Sequence, residues 1–217
     1  MTRFQFSTLA TVALLLMVSL IGAPYPQQMY LQHIPTVLVL VGWPLLGKRV
    51  PLTNPAFLCI SAFLLLHIVA ARYIYSYVPY DLWSQKLLGF SLTERFDFQR
   101  NHFDRAVHFS FGALFVRPVW EICVLYLSVP RRFAYYVGFE FVLAFSMLYE
   151  LFEWGLSLLL AAQDADAYNG QQGDMWDAQK DMALALLGAL ISLAFLFFTR
   201  RSRADLSLSN LSRSGTV

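Results

Sequence analysis

Residues 9–21 read LATVALLLMVSLI, thirteen positions with two hydroxyls and no charge. Widened to about Phe4–Ala23, the run reaches the roughly 20 residues that a helix needs to cross a hydrocarbon core about 30 Å thick. Five more stretches of this kind follow, at about 29–47, 55–75, 101–125, 133–160 and 175–199. The second is the weakest, with His33 and Pro35 near its start. Pro55 opens the third, where a first helical turn tolerates proline. Lipid offers backbone groups no hydrogen-bond partners, so each stretch must be helical. The fold expected is all-α: one polytopic membrane bundle of about six transmembrane helices over 1–203, with a mobile cytoplasmic tail at 204–217.

Composition agrees. Of 217 residues, 58% are hydrophobic and only 14% charged, against about 25% charged in an ordinary soluble domain. That excludes intrinsic disorder, which needs few apolar residues and many charges. A net charge of +2 gives no footprint for nucleic acid. Cys59 and Cys123 lie inside apolar runs, without metal-ligand spacing and too few for a disulfide framework. The first stretch has a basic start at Arg3, but Ile21-Gly22-Ala23 is a poor cleavage site and Pro24 follows at once. It reads as a retained anchor rather than a signal peptide.

Lys and Arg in short loops set orientation. Lys48 and Arg49, Arg131 and Arg132, and Arg200, Arg201 and Arg203 fall on one side with Arg3. The links on the other side carry no charge at 23–28 and only acids, Asp164, Asp166 and Asp174, at 163–174. The pattern gives both termini in the cytoplasm and six crossings. The link from Ser76 to Arg100 interleaves charges with Trp83, Leu87, Leu88 and Phe90. A short interfacial helix at the outer surface fits that pattern, and an ordered loop with aromatic anchors fits it as well.

A charge at mid-membrane costs about 2.5–3.5 kcal/mol on insertion scales, so each needs a reason. Arg117 and Glu121, four apart, read as a structural ion pair near the cytoplasmic side, with Glu140 within reach. The second group is more informative. Span four opens with Asn101, Asp104, Arg105 and His108; Asp104 and His108 share a face. Span five ends with Glu150 and Glu153, and span six opens with Asp174, Asp177, Gln179, Lys180 and Asp181. Ala185 and Gly188 continue the span-six stripe with small residues, which allows close helix approach. The topology brings all three clusters to one level in the outer half of the bilayer. Asn101 and Asp174 fit helix capping. Asp104, His108, Glu150, Asp177 and Asp181 lie deeper, as a functional cavity or as a buried network with Arg105, Lys180 and Gln179. So many acids need protons or a cation. Histidine with carboxylates suits zinc, manganese or magnesium, but no His-Glu-x-x-His or Glu-x-x-His pair is present. Without a metal, a carboxylate beside His108 makes an acid/base pair, and Arg105 is suited to an anionic group.

The motifs Asn101-His-Phe-Asp104-Arg105-x-x-His108-Phe109, Tyr149-Glu150-x-x-Glu153-Trp154 and Gly173-Asp174-x-Trp176-Asp177-x-Gln179-x-Asp181-Met182 resemble the bacterial inner-membrane YjdF family. The segment from His67 to Pro79 is similar to it too, with Ala70-Ala71-Arg72 where the family pattern has Gly-x-His. The resemblance implies a multi-pass inner-membrane protein and brings no activity with it. A looser similarity joins Asp104, His108, Glu150, Asp177, Asp181 and Gly188 to VanZ-like membrane proteins, as analogy only. Three readings follow. The cluster is a site that handles an envelope lipid or polar envelope substrate, with Asp104, His108, Glu150, Asp177 and Asp181 as its chemistry and Asn101, Arg105, Glu153, Asp174 and Gln179 as binding groups. Alternatively it serves an ion- or proton-coupled carrier, or it is interhelical glue in a structural subunit.

Overall fold

The computed structural model describes residues 1–47, 49–159 and 171–214, with side chains as far as Thr199. Lys48, Asp164, Asp166, the side chains of Arg200, Arg201 and Arg203 and those of the 204–217 tail, all used in the sequence reading, lie outside the described residues.

Among the described residues the chain is helical, without strands. Helix α1 is Arg3–Leu20, α2 Pro26–Gln32, α3 Ile34–Leu46 and α4 Asn54–Arg72. The short α5 (Tyr80–Leu88) and α6 (Leu92–Phe96) precede α7 (Phe103–Leu125), α8 (Arg131–Leu159) and α9 (Asp177–Ser214). Six spans are long and apolar enough to cross a bilayer: α1, α2 with α3, α4, α7, α8 and the Asp177–Thr199 part of α9. The second is broken at His33. Proline at 35 has no N–H to give to the carbonyl one turn earlier, so the ladder cannot run through.

Two short helices stand between spans three and four, where the sequence left open one interfacial helix or an ordered loop. Gly89, at φ 81°, ends α5 in the left-handed region that glycine enters without strain. Ser91 then caps α6 by accepting from Glu94 N. The Asp81 carboxylate joins the two: it accepts from Ser91 Oγ at 2.9 Å, Thr93 N at 2.8 Å and Thr93 Oγ1 at 2.6 Å. Burial works against its charge, but the Thr93 and Ser91 hydrogen bonds outweigh that and hold the carboxyl below its ordinary value.

Helix α7 is the hub, packed on α4, α8 and α9, while α1 rests on α4. Val12 and Leu16 of α1 meet Leu64 and Ile68 of α4. Val116, Val142, Ala185, Ala189 and Leu196 form the core between α7, α8 and α9. Lipid tails are as apolar as these side chains, so burial alone does not drive such packing; close contact must. That contact is visible at two glycines. A Cβ on Gly112 would lie 2.0 Å from the Ala185 carbonyl oxygen, and one on Gly188 would lie 2.1 Å from that of Phe109. The two backbones touch, with α7 and α9 parallel and α8 antiparallel between their ends.

At the far end of the bundle, Glu121 does not take the role expected of it. Among the described residues it forms no ion pair with Arg117. It accepts instead from Thr53 N and, at 2.7 Å, from Thr53 Oγ1, at the N-cap of α4. A free helix terminus with unsatisfied N–H groups is a nearer partner than an arginine that can reach the interface. Glu140 takes its hydrogen bond from Tyr136, one turn before it.

The crossing is directly testable. Gly112→Ala and Gly188→Ala should each destabilise the detergent-solubilised protein by about 1–3 kcal/mol, the usual range for overpacking. Gly155→Ala, which meets nothing within 4 Å, should leave the melting temperature unchanged or slightly raised. Equal melting temperatures for all three variants would mean that the helices do not meet there.

Candidate functional site

The Gly112–Gly188 crossing fixes what lies one to three turns earlier on both helices. On α7 these are His108 and Asp104; on α9 they are Asp181 and Asp177. Each of the four is buried. Glu150 and Glu153 of α8 come in from the side and are buried too. The polar residues of three spans thus meet at one end of the bundle, but they divide into two groups with different electrostatics.

The outer group is a clasp of opposite charges. Asp177 is gripped by the Arg100 guanidinium, with Arg105 Nη2 3.4 Å away. Asp174 takes Arg105 at 2.5 Å and Lys180 at 2.6 Å. Its other oxygen accepts from Trp176 N at 3.1 Å, an Asx turn that leads into α9. The Lys180 hydrogen bond, then those from Trp176 N and Arg105, hold the Asp174 carboxyl well below the usual carboxylate range. Arg105 Nη1 also bonds His102 Nδ1 at 3.1 Å. Burial, then Arg105 and Arg100, push the His102 imidazole below its ordinary value. Asn101 plays its capping part through Oδ1, which accepts from Phe103 N at 3.0 Å, while its amide reaches the Val78 carbonyl at 2.8 Å. Both arginines are thus engaged by the chain's own acids.

The inner group has no such partner. Among the described residues, no Arg or Lys lies within ion-pair distance of Asp104, Glu150, Glu153 or Asp181. His108 Nε2 lies 3.6 Å from Asp104 Oδ1 and 3.6 Å from Glu150 Oε1. Asp104, His108 and Asp181 each offer a ligand atom, all within 4.8 Å of one another. Glu150 Oε1 and Asp181 Oδ1 are buried and have no hydrogen-bond partner among the described residues. Glu153 is bonded by Tyr149, one turn before it. Negative charge in a dry space requires a proton or a cation for balance. Of the network weighed from sequence, pairing with arginine accounts for Asp177; Asp174, read as a cap, joins the same clasp, and Asp104, His108, Glu150 and Asp181 have no Arg or Lys partner among the described residues.

Two cavities flank this ring. One, of about 290 Å³, lies between α8 and α9 and is lined by Glu150, Glu153, Asp177 and Gln179. Its other wall is Met147, Leu151 and Trp154, which are 47%, 50% and 62% exposed on the outside of the bundle. The second, of about 210 Å³, is apolar, with Phe63, Phe111 and Phe145 in its walls and His108 at its edge. Tyr75 and His67 also face it. Ile74 and Tyr75 hold φ of 45° and 61°. That places the Tyr75 hydroxyl on His67 Nδ1, while His67 Nε2 donates to the Gln32 carbonyl at 2.9 Å. No spacing rule pointed to this pair. Arg72, standing where the family pattern has histidine, bonds the carbonyls of Ser19, Ile21 and Gly22 after α1.

The comparisons with known proteins agree with the architecture. Residues 4–202 match the family model described as predicted membrane protein (DUF2238). The chain belongs to this family. It is 32% identical over 187 residues to the inner membrane protein YjdF of Escherichia coli (strain K12), covering 86% of this chain and 85% of that one. No solved structure matches. Together with the six spans, this makes the chain a multi-pass inner-membrane protein.

The clasp makes a pH prediction. A carboxyl held below its unfolded value contributes its full stability above about pH 4 and loses it only as pH falls toward the folded pKa. Asp174→Asn should therefore lower the melting temperature by the same amount at every pH from 5 to 8. No difference anywhere in that range would show that Asp174 is not held by Lys180 and Arg105.

Proposed function

We propose that this protein acts on the polar end of an envelope lipid, or on a polar envelope substrate reached from the membrane, in the outer half of the bilayer. The observation that carries this reading is the cavity between α8 and α9. Its inner wall is carboxylates and its outer wall is apolar side chains that face lipid. A headgroup can reach Glu150 and Asp177 sideways from the bilayer without crossing it. At about 290 and 210 Å³, the two cavities are at or below the low end for ligand sites. They take a headgroup or a few methylenes rather than a whole lipid.

In this reading Asp104 and His108 form the acid–base pair, able to take a proton from one oxygen and return it to another. Glu150 and Asp181 complete the cage around the imidazole. Asp177 holds Arg100 and Arg105 across the end of the site, and Gln179 stands at the cavity mouth. The positive-inside rule supports the outer location, with Arg3, Arg49, Arg131 and Arg132 at the opposite end of the bundle and Lys86, Arg95 and Arg100 of the 76–100 link offset by Asp81, Glu94 and Asp97. Both termini are then cytoplasmic. A reporter fused at residue 50 should report the cytoplasm and one at residue 90 the periplasm; the same compartment for both overturns this orientation.

Chemistry is tested by mass spectrometry of envelope lipids in a deletion strain complemented with wild type, Asp104→Asn or Asp181→Asn. The wild-type gene should restore the lipid pattern, and either variant should leave it altered with accumulation of one lipid class. Restoration by both variants would remove catalysis from these carboxylates and favour a structural role.

A further inference from the structure

We propose that Asp104, His108 and Asp181 form a site for one divalent transition-metal ion of the manganese or zinc class. Three independent features point to it. The first is convergence: two ligands one turn apart on α7 and a third on α9 offer atoms within 4.8 Å of one another. The second is the spacing around the imidazole. At 3.6 Å, the Asp104 and Glu150 oxygens are too far from Nε2 for a good hydrogen bond. An ion about 2.0–2.2 Å from each ligand holds neighbouring tetrahedral ligands about 3.4 Å apart. The third is the pair of orphan oxygens. Asp181, 2% exposed, and Glu150, 9% exposed, each keep one carboxylate oxygen that has no hydrogen-bond partner among the described residues. Glu150 Oε1 is the one that faces His108 Nε2.

Charge points the same way. The cations nearby, Arg100, Arg105 and Lys180, are held in the outer clasp by Asp174 and Asp177. Two positive charges on an ion offset Asp104 and Asp181, and Glu150 supplies the next oxygen. Carboxylate oxygens with one imidazole suit Mn²⁺ or Zn²⁺ rather than thiolate-seeking ions. The cavity between α8 and α9 reaches this cluster at Glu150, the neighbour of His108. The site can hold an ion whatever the substrate is; with the ion bound, Asp104 and His108 are its ligands, and water on the ion takes the place of the free acid–base pair.

The test uses full-length protein purified in detergent, stripped with EDTA, dialysed and exposed to MnCl₂ or ZnCl₂. Elemental analysis after desalting should find about one ion per chain, with a raised melting temperature. Asp81→Asn, away from the cluster, should bind as wild type does. His108→Gln and Asp181→Asn should each weaken binding tenfold or more. Electron-nuclear double resonance on Mn²⁺-loaded wild type should show one imidazole nitrogen coupled to the ion, a readout that needs no variant to fold. Wild type without stoichiometric metal, variants that bind as wild type does, or a bound Mn²⁺ with oxygen couplings only would overturn the site. An altered lipid pattern together with no metal would retire this site and leave the acid–base reading standing.

Discussion

Two glycines touching across a helix crossing set the geometry of this protein. Gly112 and Gly188 leave no room for a single carbon between the backbones of α7 and α9. In water a larger pair of side chains could hold two helices together through burial. In lipid that driving force is missing, and tight backbone approach takes its place. Helices that meet this closely stay close for the next turn or two, which is where Asp104, His108 and Asp181 sit. The crossing thus acts as a hinge pin that brings ionisable groups together in a place that otherwise repels them.

The same end of the bundle shows two ways of handling buried charge. Asp174 and Asp177 sit among Arg100, Arg105 and Lys180, where each acid has a cation at hand. A turn deeper, Asp104, Glu150 and Asp181 surround a single imidazole, with no Arg or Lys among the described residues in ion-pair contact. Breaking a paired charge is costly, and keeping unpaired ones is costlier still. A bundle built only for stability would place apolar residues at those positions. The outer clasp is better understood as a lid of fixed charge that positions the loop before α7 and the start of α9 above the ring.

Much of this was readable from residue order. Long apolar stretches define spans because only length and hydropathy matter for crossing a bilayer. The four-residue steps Asp104–His108 and Asp177–Asp181 place each pair on one helix face. Helix direction then carries the three clusters to one end. What residue order did not give is how the faces rotate against each other. Asp177 and Asp181 look alike in sequence, yet one meets Arg100 from a preceding loop and the other meets no Arg or Lys among the described residues. Loop position has no period to read. Gly112 was readable in principle, since it continues the Asp104–His108 face by one more turn, and it partners the small-residue stripe at Ala185 and Gly188. Glu121 is the converse case: its spacing from Arg117 is right for an ion pair, but the α4 terminus lies nearer in space. The Tyr75–His67 contact depends on left-handed backbone at Ile74 and Tyr75, which no residue type there announces.

The central claim is that acids from α7, α8 and α9 meet around His108. A double-mutant cycle of His108→Gln with Asp181→Asn, read as unfolding free energy in mixed micelles, tests it most directly. Residues in contact couple by about 0.5–3 kcal/mol, whereas distant ones add within about 0.5 kcal/mol. Coupling of 1 kcal/mol or more between the two positions, and likewise between His108→Gln and Glu150→Gln, is the result this structure requires. Additive single effects in both cycles would contradict it.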